Sequence, residues 1–125
     1  SYVARRHQLA RRYDDLLSSL PINTPWQHPD SYSGLHLYVI RLQLDQIQKT
    51  HREVFEALRE LGIGVNLHYI PVHTQPHYER MGFKADDFPQ AQTYYREAIS
   101  IPMFQTMTDE QQDEVIVALR KAVLE

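Results

Sequence analysis

The stretch from Gly62 to Tyr78, GIGVNLHYIPVHTQPHY, is the part of the chain around which the other predicted elements are arranged. Larger apolar side chains occupy every second position from Ile63 to Tyr69, and this period of two predicts a strand with two different faces. Pro71 should end the strand because proline has no N–H group to donate to a neighbouring strand. The stretch therefore predicts a strand that runs directly into a loop.

The predicted loop combines conformational stiffness with side chains that suit ligand binding. Pro71 and Pro76 restrict its backbone, and its polar and aromatic residues are His73, Gln75, His77 and Tyr78. Ordering such a loop costs conformational entropy, so its residues are expected to contact something. We interpret the stretch as a ligand-facing edge. His73 is the first candidate, since two prolines hold its segment and Gln75 and Tyr78 flank it.

Helical and strand patterns lie on both sides of this stretch. Helices are predicted over residues 3–20, 50–61, 89–98 and from 108 onward, and strands over 35–44 and 99–101. We expect the 35–44 strand to be covered on both faces, and Ala91, Tyr94, Tyr95 and Ala98 to point inward from the third helix. The pattern predicts an α+β fold in one domain, residues 1–125, with helices packed on a short, mainly antiparallel sheet.

Local signals define the ends of these elements. Thr50 with Glu53, and Thr108 with Gln111, have the spacing of capping boxes. Gly62 should end the second helix in the left-handed conformation. Residues 21–34 contain three prolines and are predicted to be a connection without regular structure, anchored by the packing of Trp26.

Composition excludes several classes of function. A formal net charge of −3 argues against nucleic-acid binding through bulk electrostatics, and the absence of cysteine excludes disulfides and thiolate chemistry. No segment has the pattern of a membrane span or of a signal peptide, so a cytoplasmic protein without membrane association is expected. Because the chain opens on a helical pattern without an initiator Met, Ser1 is interpreted as a cut point within a longer polypeptide.

Several charged and polar groups leave two interpretations open. The four arginines of the first predicted helix suit either a phosphate-binding patch or a solvated helix face. Arg41 suits either a bound anion or a structural carboxylate. His68, His73 and His77 lie close enough in sequence to suggest a metal site, although no HExxH motif or third carboxylate ligand accompanies them. No nucleophile elbow or glycine-rich phosphate loop is present, so the residues indicate a binding rim without a complete catalytic set.

Several of these segments together resemble one enzyme family. GIGVNLHYIPVHTQPHY, AISIPMF and TDEQQDEVIVAL resemble the C-terminal region of the pyridoxal 5'-phosphate (PLP)-dependent sugar-nucleotide aminotransferases of the DegT/StrS type. ARRHQLARRYDDLL and HLYVIRL resemble the segments that precede it in those enzymes, so the resemblance covers nearly the whole chain. Within the family, it is strongest to enzymes that aminate a UDP-linked 4-keto-6-deoxy sugar in the pseudaminic acid pathway.

The resemblance implies the small C-terminal domain of a fold-type-I aminotransferase. In that family the large domain holds PLP and the lysine that forms its Schiff base. Lys49, Lys84 and Lys121 are the lysines here, and none lies in a segment that resembles the Schiff-base motif. The implied cofactor is therefore bound by a missing large domain, and this chain alone is expected to bind no PLP and to be inactive.

The resemblance also implies partners and site residues. His68, Tyr69, Pro71 and His73 match the family's HYxPxH segment, which lies near the mouth of the active site, and Gln75 and Tyr78 follow it. The implied substrate contacts are His68, Tyr69, His73, Gln75 and Tyr78. The implied partners are a UDP-sugar, glutamate as amino donor and a second subunit in a homodimer. The alternatives are packing of this segment against the large domain, a stand-alone α+β binding or dimerisation module, and a metal-binding module.

Overall fold

The computed structural model of the chain describes residues 1–68 and 70–125. Within these residues the chain forms five α-helices and three β-strands. In chain order they are α1 (Tyr2–Leu17), β1 (Ile22–Asn23), β2 (Tyr38–Leu42), α2 (His51–Glu60), α3 (Pro76–Arg80), α4 (Pro89–Glu97), β3 (Ala98–Ile101) and α5 (Asp109–Leu124). Short 3₁₀ turns occupy Leu44–Gln46, Val72–Thr74 and Ala85–Asp87.

The strands form one antiparallel sheet in the order β1-β2-β3. Ile40 of β2 lies opposite Ile99 of β3, and Ile22 of β1 lies opposite Leu42. In β2, Tyr38, Ile40 and Leu42 are buried while the residues between them are half-buried, so one face carries most of the core contact. The strand predicted over 35–44 is thus shorter than expected and is not fully covered on both faces. The prediction of a connection without regular structure was wrong at β1.

The remaining core comes from α1, α2 and α5. Every third or fourth residue of α1 faces inward, and Leu9, Tyr13 and Leu17 are completely buried. Gln112 of α5 is buried among them, and its Nε2 donates to the Leu9 carbonyl at 2.8 Å while its Oε1 accepts from Arg12 at 3.1 Å. The predicted α+β fold, with helices packed on a short antiparallel sheet, is confirmed.

The strand predicted from Ile63 onward was wrong. In the part of it that the structure describes, only Asn66 pairs in a β-bridge, with Ser100, through backbone hydrogen bonds of 3.1 and 2.8 Å. The Val65 N–H instead bonds to the Ile63 carbonyl, which makes a local turn, and Leu67 remains 46% exposed. The alternation in sequence therefore does not correspond to a continuous buried face. Tyr69 lies outside the described residues.

The loop predicted after Pro71 was also wrong, because it contains a 3₁₀ turn followed by α3. Pro76 occupies the first turn of α3, where the missing N–H group would have had no partner inside the helix. Proline therefore begins this helix instead of preventing it. The inward face predicted for α4 was wrong as well, since no residue of α4 is buried; Ala98, which is buried, belongs to β3.

The contacts of three arginines of α1 and the exposure of the lone tryptophan differ from what the sequence predicted. Arg5 donates to the Met107 carbonyl at 2.6 Å, and Arg12 pairs with Asp113 at 2.7 Å. Arg6 makes longer bonds of 3.5 and 3.4 Å to the Gly34 carbonyl and Gln105. These three arginines therefore link α1 to neighbouring segments. They form neither the phosphate-binding patch nor the solvated helix face that the sequence suggested. Trp26 does not anchor its segment, since 77% of it is exposed.

The ends of α2 confirm the local signals. Thr50 Oγ1 accepts from the Glu53 N–H at 3.1 Å, and the Glu53 carboxylate accepts from the Thr50 N–H at 3.1 Å. Gly62 follows the helix with φ of +84°, and its N–H bonds to the Arg59 carbonyl at 3.0 Å. Thr108 and Gln111 form the second predicted capping box at the start of α5.

Replacing Gly62 with Ala should lower the free energy of unfolding by about 1 kcal/mol, because a Cβ disfavours positive φ. No atom lies within 4 Å of the added Cβ, so the backbone conformation alone would cause the loss. Gly64→Ala is the matched control, since its surroundings are equally open and its φ is not positive. Equal urea midpoints for Gly62→Ala and the unmodified chain would contradict the prediction.

Two buried phenols connect α1 to the sheet. The Tyr13 hydroxyl donates to the Pro102 carbonyl at 2.5 Å, and the Tyr38 hydroxyl donates to Asp14 Oδ1 at 2.5 Å. Burial raises the pKa of Tyr13. Burial, and then the hydrogen bond and charge of Asp14, raise the pKa of Tyr38. The folded chain therefore holds both phenolic protons more tightly than the unfolded chain does.

Stability should consequently be lost at alkaline pH. A tyrosine whose pKa is higher in the folded chain than in the unfolded chain contributes its full stability at any pH below its unfolded pKa, which is near 10. That contribution falls as the pH rises above about 10. Urea unfolding between pH 8 and 11 should show this decline. Tyr38→Phe should make the decline shallower, whereas Tyr2→Phe, at an exposed position, should leave its slope unchanged. A pH-independent free energy of unfolding across this interval would refute the prediction.

Candidate functional site

One candidate site is an aromatic pocket at the end of the Gly62–Tyr78 stretch. It has a volume of about 440 Å³. The 3₁₀ turn after Pro71, α3 and the start of α4 supply its lining residues, which are Pro71, Val72, His73, Tyr78, Phe83, Phe88 and Ala91. The pocket presents mostly apolar and aromatic surface, with few polar groups to fix the orientation of a ligand.

His73 holds the two sides of the aromatic pocket together. Its side chain is 8% exposed, and its Nε2 donates to the Ala85 carbonyl at 2.9 Å. Its ring lies 4.8 Å from the ring of Phe88, between centroids. Since Nε2 is engaged by the backbone, Nδ1 and one ring edge are what His73 can still offer to a ligand. The geometry favours a positioning role for this residue.

Tyr78 and Gln75 differ in their relation to the pocket. Tyr78 lines it, is 37% exposed, and lies edge-on to His77 at 5.1 Å and to Phe83 at 6.1 Å. Gln75 uses its backbone carbonyl to accept the N–H groups of Tyr78 and Glu79, each at 3.0 Å. Its exposed side chain does not line the pocket.

His68 lies in a separate cluster beside α4. Its ring meets the ring of Tyr94 edge-on at 5.4 Å, and its Nε2 is buried with no hydrogen-bond partner among the described residues. The guanidinium of Arg41 lies 5.4 Å from the Tyr94 ring centroid and pairs with Glu97 at 2.9 Å. Of the two interpretations of Arg41, the structure supports the pairing with a structural carboxylate.

The structure brings only some of the predicted site residues together. His73 and Tyr78 share the aromatic pocket, His68 and Gln75 lie outside its lining, and Tyr69 is outside the described residues. The sequence analysis did not identify Phe83 and Phe88 as pocket residues. Their signal was present, because each phenylalanine adjoins a residue with special backbone properties: Gly82, which can adopt its φ of +100°, and Pro89, whose ring restricts φ.

Comparison with known proteins shows the family to which the chain belongs. The profile of the DegT/DnrJ/EryC1/StrS aminotransferase family matches residues 1–120. The chain belongs to this family. The spore coat polysaccharide biosynthesis protein SpsC of Bacillus subtilis is 38% identical over 122 residues, which is 95% of this chain and 31% of SpsC. This member of the DegT/DnrJ/EryC1/StrS family thus spans about a third of the length of the relative.

Solved structures show the same fold. DesV of S. venezuelae, solved in complex with a ketimine intermediate, is 30% identical and superposes with a TM-score of 0.84 over 96% of this chain and 31% of DesV. Helicobacter pylori PseC, an aminotransferase involved in pseudaminic acid biosynthesis, is 22% identical, with a TM-score of 0.84 over 98% of this chain and 33% of PseC. At that identity, the likeness to PseC concerns the fold alone.

The three lysines of this DegT/DnrJ/EryC1/StrS family member lie at the ends of secondary-structure elements. Schiff-base formation needs a lysine amine at the ligand, but Lys49 precedes α2, Lys84 precedes a 3₁₀ turn and Lys121 lies in the last turn of α5. None of them lines the aromatic pocket. In the same described residues, no group of three or more His, Cys, Asp or Glu is placed to hold a metal ion, and no helix is both long and apolar enough to cross a membrane.

Replacing His73 with Leu should destabilise the folded chain by about 1 kcal/mol, because the Ala85 carbonyl loses its donor. Urea unfolding would measure the change, and hydrogen exchange should accelerate in residues 72–74 and 85–87. His77→Leu is the control, since His77 is exposed and should stay within about 0.5 kcal/mol of the unmodified chain. Equal stability of the two variants would show that the hydrogen bond contributes nothing.

Proposed function

We propose that this chain is the C-terminal small domain of a longer PLP-dependent aminotransferase that aminates a UDP-linked 4-keto-6-deoxy sugar. The specific candidate is the UDP-4-amino-4,6-dideoxy-N-acetyl-altrosamine transaminase of pseudaminic acid biosynthesis. The observation that carries the proposal is the family match over residues 1–120. The resemblance of HYIPVHTQPHY and SIPMF to sugar-nucleotide aminotransferases supports the narrower choice of substrate.

The proposal assigns the chemistry to the part of the enzyme outside this chain. PLP supplies the electron sink for amino-group transfer, and its binding residues belong to the remaining two thirds of a full-length relative. None of the three lysines of this chain lines the aromatic pocket or lies in a segment that resembles the Schiff-base motif, so the chain alone is proposed to be inactive. Glutamate is the proposed amino donor, a homodimer the proposed assembly and the cytoplasm the proposed location.

Within that enzyme, the aromatic pocket is proposed to contact the nucleotide-sugar. The exposed edges of Tyr78, Phe83 and Phe88 can pack against a uracil or sugar ring, which suits a pocket whose surface is mostly apolar. His73 keeps the pocket in shape through the Ala85 carbonyl. His68 offers its edge beside Tyr94, and the exposed amide of Gln75 can reach a polar group of the ligand. Tyr69 is proposed as a further contact from its match to the family motif.

The decisive experiment uses the full-length polypeptide that contains this chain. Borohydride reduction should trap PLP on a lysine outside residues 1–125, identified by peptide mass spectrometry. Incubation with glutamate and the UDP-linked 4-keto-6-deoxy-N-acetyl sugar should then give equal amounts of the amino sugar and 2-oxoglutarate. A trapped lysine without amination of this sugar would keep the family role and reject the substrate. A polypeptide without a PLP lysine would favour the stand-alone module.

In the same enzyme, Tyr78→Ala should raise the KM for the nucleotide-sugar about tenfold, because stacking of one aromatic ring on a base contributes roughly 1–3 kcal/mol. PLP loading, followed by absorbance of the bound cofactor, should not change. Tyr2→Ala is the control, because Tyr2 is 70% exposed and does not line the aromatic pocket. Loss of PLP in the Tyr78 variant would assign the residue to the cofactor site or to the fold.

A further inference from the structure

The structure contains a second cleft, separate from the aromatic pocket, between α1 and the connection over residues 25–35. We infer that this α1 cleft binds a nucleotide, with the base stacked on Tyr32 and the phosphate held by Arg11. The inference goes beyond the proposed aminotransferase function and does not depend on it. The two sites share no lining residue, so each can be tested without the other.

The α1 cleft is built from one helix face and a stiffened connection. It has a volume of about 380 Å³, within the range of small-molecule sites. His7, Ala10, Arg11 and Asp14 line it at helical spacing, so their side chains lie along one face of α1, and the small side chain of Ala10 leaves space between them. The opposite wall contains Pro25 and Pro29, which restrict the backbone and reduce the entropy that a ligand would have to remove.

An exposed aromatic platform lies at this cleft. The ring of Tyr32 stacks on the ring of His7 with a centroid distance of 4.2 Å and an interplanar angle of 0°. His7 is fixed in turn, since its Nε2 donates to the Ser33 carbonyl at 2.8 Å. Tyr32 is nevertheless 72% exposed, so a ligand can reach the platform that the stacking and the His7 hydrogen bond hold in place. Bases of every type stack on such rings, because each has a π face.

Among the described residues, Arg11 is the arginine of α1 that makes no internal hydrogen bond or ion pair through its side chain. Arg5, Arg6 and Arg12 are tied to neighbouring segments, whereas Arg11 is exposed, lines the cleft and has no ion-pair partner among the described residues. A guanidinium in this position can bind phosphate through two parallel N–H donors.

Asp14 and Gln27 supply acceptors in the same cleft. Asp14 receives the Tyr38 hydroxyl on Oδ1, which leaves its second oxygen for an N–H group of a base or for a ribose hydroxyl. Gln27 lines the opposite wall. Because the carboxylate would repel a phosphate placed beside it, the phosphate is expected at Arg11 and the base or ribose toward Asp14.

The wall of the cleft contains a strained residue. Leu35 has φ of +48°, a conformation that is unusual for a bulky side chain, and it is 6% exposed. Its N–H bonds to the Ser33 hydroxyl at 3.0 Å, next to the Ser33 carbonyl that holds His7. Strain of this kind is concentrated at ligand sites, where surrounding contacts fix it. Trp26, 77% exposed and edge-on to His28 at 5.6 Å, adds a second ring near the cleft.

The test is hydrogen exchange, measured by mass spectrometry, on the full-length polypeptide titrated with uridine monophosphate and adenosine monophosphate. Both nucleotides should slow exchange in residues 25–35. Uridine should need about a tenfold higher concentration for half of the effect, because it lacks the phosphate. Inorganic phosphate alone should give no protection there. Protection in residues 71–91 would report separately on the aromatic pocket and on the proposed function.

Variants locate the binding energy within the cleft. Arg11→Gln and Tyr32→Leu should each raise the half-protecting concentration of uridine monophosphate about tenfold. Arg120→Gln, which removes an exposed arginine from α5, should leave it unchanged. Circular dichroism should show intact folding for Arg11→Gln, because Arg11 makes no ion pair in the described structure. The inference fails if residues 25–35 are not protected up to about 10 mM nucleotide, or if Arg11→Gln binds as the unmodified protein does.

Discussion

The pairing of β2 with β3 is the constraint on which the rest of this structure depends. Its register places Arg41 opposite Ala98, and Glu97, the residue before Ala98, is therefore close enough to pair with the Arg41 guanidinium at 2.9 Å. Tyr94 lies one turn earlier on α4 and packs under the same guanidinium, and the His68 ring packs on Tyr94. A shift of one residue in this register would turn Ile40 out of the core and separate the whole cluster.

The same strand holds the other side of the molecule. Tyr38, at the start of β2, is buried and binds Asp14 of α1, while its ring lies 4.9 Å from the ring of Tyr13. Asp14 faces the α1 cleft. The two candidate ligand surfaces therefore both depend on β2, although they share no lining residue: one is positioned through Arg41 and α4, the other through Tyr38 and α1. A rigid strand between two surfaces suits sites that need preorganised side chains.

Prolines organise the aromatic pocket in a way that differs from their role in strands. Pro76 and Pro89 each begin a helix, and Pro71 precedes the 3₁₀ turn that contains His73. His73 then joins this turn to the turn at Ala85, which brings Phe88 over the pocket. The chain shares its fold with other members of the family. The shape of the aromatic pocket results from these local backbone restrictions and from the hydrogen bond between His73 and the Ala85 carbonyl.

The sequence by itself determined the features that depend on neighbouring residues. The capping boxes at Thr50 and Thr108, the left-handed Gly62 and the inward stripes of α1 and α5 follow from local hydrogen bonding and from helical periodicity. Tertiary structure decided the others. The alternation after Ile63 predicted a strand, yet a strand needs a partner edge, and among the described residues of this segment only Asn66 pairs, with Ser100. In the part of the chain that the structure describes, Arg12 is paired and Arg11 is not, and His73 donates to the Ala85 carbonyl. These outcomes depend on segments that are distant in sequence, and no local pattern specifies them.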